Sequence, residues 1–221
     1  MQAVKKNVFL LVLLVVLLPL NAEESIVELT SHPFNLEAAK REINEVCARG
    51  FVPVGLEVID GVAIQILYAR DDSLSFKEWF LYQLTEPEKL ESAVSYIIQN
   101  GWVPTGISKT DTALYMIFIK ADLEVEGWRV SKSGSDTGSI EAKWRYFAQE
   151  SFFPWGISQW DGETWHLLLQ TKNFAKSAAQ LRSYLNQESE LADGMNKDIS
   201  IGLHPWGLTV ERSRISILYA E

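Results

Sequence analysis

The sequence of 221 residues contains a single cysteine, Cys47, so no disulfide bond can form within the chain. Histidine is also scarce, because His32, His166 and His204 are the only three and none stands beside a Cys-x-x-Cys pair. These absences leave no metal-binding pattern, and we expect neither a metal nor another cofactor. Stability must therefore come from an apolar core, which a chain of this length that is 47% hydrophobic can build.

Positive charge is in deficit. The chain has 20 Lys and Arg side chains against 29 Asp and Glu, which gives a formal net charge of -9 at pH 7. No stripe of Lys and Arg interrupts this acidic balance. Such a surface repels the phosphates of nucleic acids and anionic lipid headgroups, so we expect no nucleic-acid partner.

A long apolar run occurs at the N-terminus, where Lys5 and Lys6 precede an unbroken stretch over residues 8–18. This pattern predicts a signal peptide over residues 1–22, cleaved after Ala22, since the run is shorter than the roughly 20 residues that span a bilayer. The mature chain, 23–221, is then extracytoplasmic, either periplasmic or secreted, with no stable membrane insertion after cleavage. An uncleaved anchor is the alternative, because Leu20 stands where cleavage signals prefer a smaller residue.

One tripeptide, Pro-x-Gly, recurs four times at intervals of about fifty residues. Its copies are Pro53–Gly55, Pro104–Gly106, Pro154–Gly156 and Pro205–Gly207. A large apolar residue stands two places before each proline, and an aliphatic residue follows each glycine. The even spacing predicts four copies of one structural unit.

Within each unit the apolar pattern changes from helical to strand periodicity. Apolar residues three, four, seven and eleven places before Gly50, Gly101 and Ser151 share one face of an amphipathic helix. After Pro-x-Gly, the dipeptides Asp60–Gly61 and Asp161–Gly162 separate two apolar runs, which is typical of a β-hairpin. With one more strand before each helix, the unit is β-α-β-β.

The four predicted units cover about residues 25–70, 76–120, 125–170 and 179–220. The fourth is degenerate, because Leu191, Met195 and Ile199 supply its helix face in a shifted position. The repeat frame also predicts a strand over Leu181–Leu185, although residues 175–191 taken alone resemble a helix. One such unit has a single helix for three strands and cannot bury both faces of its sheet, so the copies must share a core.

The predicted fold class is therefore α+β, with four tandem β-α-β-β repeats packed as one pseudo-symmetric domain over residues 23–221. Two arrangements stay open: a propeller-like ring, or two packed sheets with outer helices. Because proline donates no backbone hydrogen bond and glycine marks bulges or close approaches, we expect Pro-x-Gly to form a kink at the entry of the hairpin's first strand.

Tryptophan is the candidate functional residue type. The last two units contain Trp144, Trp155, Trp160, Trp165 and Trp206. We take Trp160, Trp155, Trp206 and Trp165 as candidate ligand-binding residues. The alternative is that Trp155 and Trp206, at the centre of Pro-x-Gly, fill the core. Trp160 precedes a hairpin turn, where an exposed ring supplies contact area for a partner.

The remaining reactive residues favour structural roles. Asp60, Asp111 and Asp161 occupy turns, where a short polar side chain is tolerated, and Cys47 falls on an apolar helix face. The chain contains no Gly-x-Ser-x-Gly, His-Glu-x-x-His or glycine-rich phosphate loop, so no catalytic residue is assigned.

The function that these patterns favour is that of an exported, non-catalytic binding or assembly protein, acting through a Trp-rich surface of the third and fourth repeats on a protein or glycan partner. A secreted or periplasmic carbohydrate-binding protein is the alternative. A hydrolase with an unrecognised site is a second alternative.

Overall fold

The computed structural model describes residues 27–59, 61–70, 74, 76–172, 179–211 and 214–220, apart from the side chain of Glu188. The predicted signal peptide and the turn residue Asp60 lie outside these ranges. The described chain is a mixed α+β structure with four three-stranded antiparallel sheets and four α-helices.

The elements follow one another in the repeating order strand, helix, strand, strand. They are β1 (Val27–Pro33), α1 (Leu36–Ala48), β2 (Val52–Ile59), β3 (Ala63–Ala69), β4 (Glu78–Leu84), α2 (Leu90–Gln99), β5 (Val103–Lys109), β6 (Leu114–Lys120), β7 (Val125–Gly134), α3 (Thr137–Ala148), β8 (Phe153–Trp160), β9 (Glu163–Thr171), β10 (Ala179–Leu185), α4 (Glu188–Ser200), β11 (His204–Glu211) and β12 (Arg214–Ala220). A 3-10 turn, Pro87–Lys89, leads into α2.

Every sheet has the same strand order. The last strand of each hairpin is central, with the strand that precedes the helix on one side and the first hairpin strand on the other, as in β1-β3-β2. The register of each hairpin shifts between the proline and the glycine of Pro-x-Gly. The predicted kink at the start of that strand is therefore confirmed as a β-bulge.

The first three helices form where the helical periodicity predicts them, and α1 and α3 begin at a side-chain N-cap. In α1 the side chain of Asn35 accepts hydrogen bonds from the backbone N–H groups of Glu37 and Ala38 at 3.1 Å each. The buried face of α1 consists of Ala39, Ile43 and Val46. This face packs on one side of the first sheet.

The fourth unit has the predicted strand over Leu181–Leu185, within β10. Its helix uses the shifted face, with Leu191 and Met195 buried. Gly194 lies inside this helix because the ring of Tyr184 occupies the adjacent space. A Cβ at residue 194 would come within 2.5 Å of that ring.

The first hairpin strands of the four units meet at the centre of the molecule. Strand β2 contacts β5 and β11, and β8 contacts β5 and β11. The glycines of Pro-x-Gly allow this approach, because a Cβ at residue 55 would lie 2.9 Å from Leu208 N and one at residue 106 would lie 3.0 Å from Leu56 N. Close backbone contact thus accounts for the glycines at residues 55, 106 and 156, the last of which would place a Cβ 3.2 Å from Ile107 N. At residue 207 the nearest atoms belong to the side chain of Leu218.

Candidate functional site

Two of the four candidate tryptophans lie in the core. Trp155 and Trp206 are 1% and 2% exposed. Their ring centroids are 4.9 Å apart and the rings are perpendicular, an edge-to-face contact that joins the third and fourth units. Neither ring presents surface to the exterior.

The other two candidates, Trp160 and Trp165, are partly buried. Trp160 is the last residue of β8 and precedes Asp161 and Gly162, whose φ angles are 50° and 75°. The structure does not bring the four candidates into one surface, but it brings Trp165 to a cavity at the second unit.

This cavity, of about 160 Å³, separates the second and third units. Trp165 forms its wall on the third unit. The second unit contributes Leu84, Thr85, Pro87, Leu90 and the hairpin residues 109–114, except Thr110. Lys132 Nζ lies 4.2 Å from the centroid of the Trp165 ring and 2.8 Å from a carboxylate oxygen of Glu163, so an ion pair covers one face of the indole.

A larger groove of about 480 Å³ adjoins this cavity, and the two share Pro87 and Leu90. We call it the α2–β7 groove. One wall is formed by residues of the 3-10 turn and the start of α2, and the other by residues 128–131 of β7, and Phe147 of α3 also lines the groove. The groove therefore lies between the helix of the second unit and the outer strand of the third.

Trp128 lines the groove and holds its walls together, because its Nε1 donates a hydrogen bond to Ser95 Oγ of α2 at 3.1 Å. Trp79 makes the matching contact one unit earlier, where its Nε1 donates to Asn44 Oδ1 of α1 at 2.8 Å. Sequence reasoning missed Trp128. The sequence spacing hides their equivalence, because Trp79 stands 25 residues before Pro104 and Trp128 stands 26 residues before Pro154. Only the strand pairing, with Ile119 and Leu169, aligns the two tryptophans.

The groove is acidic on its helical wall. Glu88 and Glu91 are exposed there, and no ion pair within the described chain involves either carboxylate. Arg129, on the opposite wall, forms an ion pair with Glu150 at 3.1 Å and lies 4.7 Å from the centroid of the Phe152 ring. The cationic group of the groove is thus engaged within the third unit, whereas its anionic groups are open to a ligand.

Glu57, on β2, is a buried carboxyl group at the centre of the molecule and is 4% exposed. Burial raises its pKa well above the ordinary range, and hydrogen bonds from Thr209, the backbone of Val210 and Ser108 oppose that rise. Among the described residues, its Oε2 has no hydrogen-bond partner, and neither has Oε1 of Gln65, the residue directly opposite on β3. The amide oxygen of Gln65 therefore lacks a donor within the described chain.

His166, on β9, is also fully buried. Burial, and secondarily the charge of Lys143, lowers its pKa to about 4. Trp144 Nε1 donates to His166 Nδ1 at 3.1 Å, and Nε2 lies 2.8 Å from Ser133 Oγ. Because an indole N–H only donates, Nδ1 is the acceptor and the neutral ring carries its proton on Nε2.

Cys47 packs against the apolar cluster beneath α1, and burial raises the pKa of its thiol to about 12. Such a thiol stays protonated at neutral pH and is a poor nucleophile. Glu57, His166 and Cys47 line neither the small cavity nor the α2–β7 groove. The titratable groups with strongly shifted pKa values thus lie apart from both spaces.

In the described ranges, no three His, Cys, Asp or Glu side chains come together as a metal ion requires. None of the helices in the described part of the chain combines the length and the apolar character needed to cross a bilayer. No protein-family model matches the sequence, and no curated protein matches it.

Proposed function

We propose that the four units form one pseudo-symmetric, propeller-like ring, with β2, β5, β8 and β11 around the axis and the helices outside. Hydrogen bonds between consecutive units support it, since each joins a backbone N–H to a side chain four residues after a Pro-x-Gly proline. They run from Val58 N to Ser108 Oγ (2.8 Å), Lys109 N to Ser158 Oγ (2.9 Å), Gln159 N to Thr209 Oγ1 (2.8 Å) and Val210 N to the Glu57 carboxyl. The last bond leads from the fourth unit back to the first.

We further propose that the chain is an exported, non-catalytic binding protein that acts through the α2–β7 groove. The observation that carries this function is the groove of about 480 Å³ between two units, with Trp128 in its wall and Trp165 in the adjoining cavity. Indole rings supply large contact area at low entropic cost, and binding sites commonly lie between structural units. The groups with perturbed pKa values, which an enzyme would hold in its cleft, lie elsewhere.

This function is tested by screening purified residues 23–221 against a random-peptide library and a glycan array. Ligands are expected in the peptide library, with their affinity weakened about tenfold by Trp128→Phe, which removes the indole N–H and part of the ring. Trp79→Phe is the matched control, because it removes the same kind of helix contact away from the groove.

Equal weakening by the two tryptophan variants, or an absence of ligands from both collections, would contradict the proposal. Ligands that come from the glycan array alone and depend on Trp128 would identify a carbohydrate-binding protein instead.

A further inference from the structure

One edge of strand β7 faces the α2–β7 groove. Four consecutive residues, 128–131, line it. Successive side chains of a strand point to opposite faces of the sheet, so consecutive residues line one groove only where the groove runs along the strand's edge. β7 is the outer strand of the sheet β7-β9-β8, and no strand among the described residues pairs with this edge.

The backbone groups along this edge have no partner within the described chain. Residues 127–133 pair in register with β9, and no residue of 126–133 takes part in a backbone hydrogen bond outside the strand ladders of the described chain. An open edge of this kind is a template on which an extended chain adds as a further strand.

The chemistry of the facing wall indicates which side chains such a segment carries. Pro87, Leu90 and the Trp128 ring provide apolar contact, while Glu88 and Glu91 provide two carboxylates without an ion-pair partner in the described structure. Since Arg129 is already paired with Glu150, a basic side chain is favoured over an acidic one in the groove.

We propose that the α2–β7 groove binds an extended polypeptide segment of a partner protein. The segment pairs with β7 as an added strand and places a Lys or Arg side chain against Glu88 and Glu91. This inference rests on the proposed binding function and names the partner chemistry of the same groove.

The pairing is tested with a dye-labelled, nine-residue peptide of alternating threonine and valine with a central lysine, by fluorescence anisotropy against residues 23–221. Two further peptides carry N-methyl groups at the odd or at the even residues. An added strand bonds to its neighbour through every second residue, so one methylated peptide is expected to lose affinity about tenfold or more and the other far less. Equal effects of the two methylation patterns would overturn strand addition.

The charge preference is tested by replacing the central lysine with glutamate, which is expected to weaken binding about threefold to tenfold. Glu91→Lys should reduce or reverse this preference. Glu141→Lys, the same charge change at an exposed residue of α3, should leave it intact. A preference that both variants alter equally would refute the role assigned to the groove.

Two outcomes separate this inference from the proposed function. A peptide that depends on Trp128 but is indifferent to N-methylation leaves the binding function standing and overturns strand addition. Dimerisation of the protein in sedimentation experiments, abolished by Glu91→Lys, would make a second copy of the chain the occupant and overturn the partner segment.

Discussion

Replacement of Gly55 by alanine tests the contact between the first and fourth units. A Cβ at this position would lie 2.9 Å from Leu208 N and 3.0 Å from Leu208 Cβ, whereas ordinary contacts begin at 3.4 Å. The backbone of β11 must therefore move by about 0.5 Å, into a centre that is packed on every side. Gly55 has no positive φ angle, so the expected cost is steric.

The structure sets the size of the effect. Overpacking of a close-packed interior costs about 1–3 kcal/mol, and the lower unfolded-state entropy of alanine offsets up to about 1 kcal/mol of it. A mid-range cost of about 2 kcal/mol leaves about 1–2 kcal/mol after this offset. For a chain of this length, each kcal/mol shifts the melting temperature by about 2–4 °C, so a decrease of about 2–8 °C is expected.

The assay is thermal unfolding of residues 23–221 followed by circular dichroism, with Gly138→Ala as control. Residue 138 lies in the first turn of α3, where an added Cβ approaches only an exposed carboxylate oxygen of Asp136, at 3.2 Å. The control is expected to change the free energy of unfolding by less than about 1 kcal/mol. A Gly55→Ala protein that melts with the parent would refute the close contact between β2 and β11.

Three further predictions concern the buried groups and the N-terminus. Glu57→Gln should stabilise the protein increasingly as pH rises above 4.5, because the raised folded-state pKa of Glu57 gives the wild type stability that is lost with increasing pH. The amide N–H also supplies a donor to Gln65 Oε1. A difference in the free energy of urea unfolding that does not change with pH would contradict the raised pKa. His166 has a lowered pKa of about 4, so the free energy of unfolding of the wild type should decrease by up to about 3 kcal/mol as pH falls from 6.5 to 4. His166→Gln should flatten this pH dependence, and an unchanged slope would be evidence against the buried neutral imidazole. N-terminal sequencing of the exported protein should begin near Glu23, and retention of residues 1–22 would refute signal cleavage.

The types of the elements were predictable because their signals are local. Helical periodicity, Asp-Gly turns and each Pro-x-Gly tripeptide are contained within a few to about fifteen residues, and the even spacing of the tripeptides can be read directly along the chain. The position in the repeat also predicted a strand over residues 181–185, where the local sequence alone resembles a helix, and the structure has that strand. A shared frame constrains each copy more strongly than the propensity of its own residues.

The candidate site was less predictable, because its geometry arises between units. The sequence made both Trp165 and Trp206 candidate ligand-binding residues, with the core as the alternative for Trp206. Contacts across units bury Trp206 against Trp155 and leave Trp165 beside a cavity. The position four residues after each proline is polar in all four units (Glu57, Ser108, Ser158 and Thr209). That pattern was visible, but its partners were not, since each bond leads to another unit.

The sequence by itself determined the mixed α+β content, the strand-helix-strand-strand order of the elements and the bulge at Pro-x-Gly, because these depend on local periodicity and on the backbone limits of proline and glycine. Tertiary structure alone decided which tryptophans are buried, where the α2–β7 groove runs and which donors surround Glu57. These features depend on how neighbouring units pack, and residues about fifty or more positions apart meet only when that packing is complete.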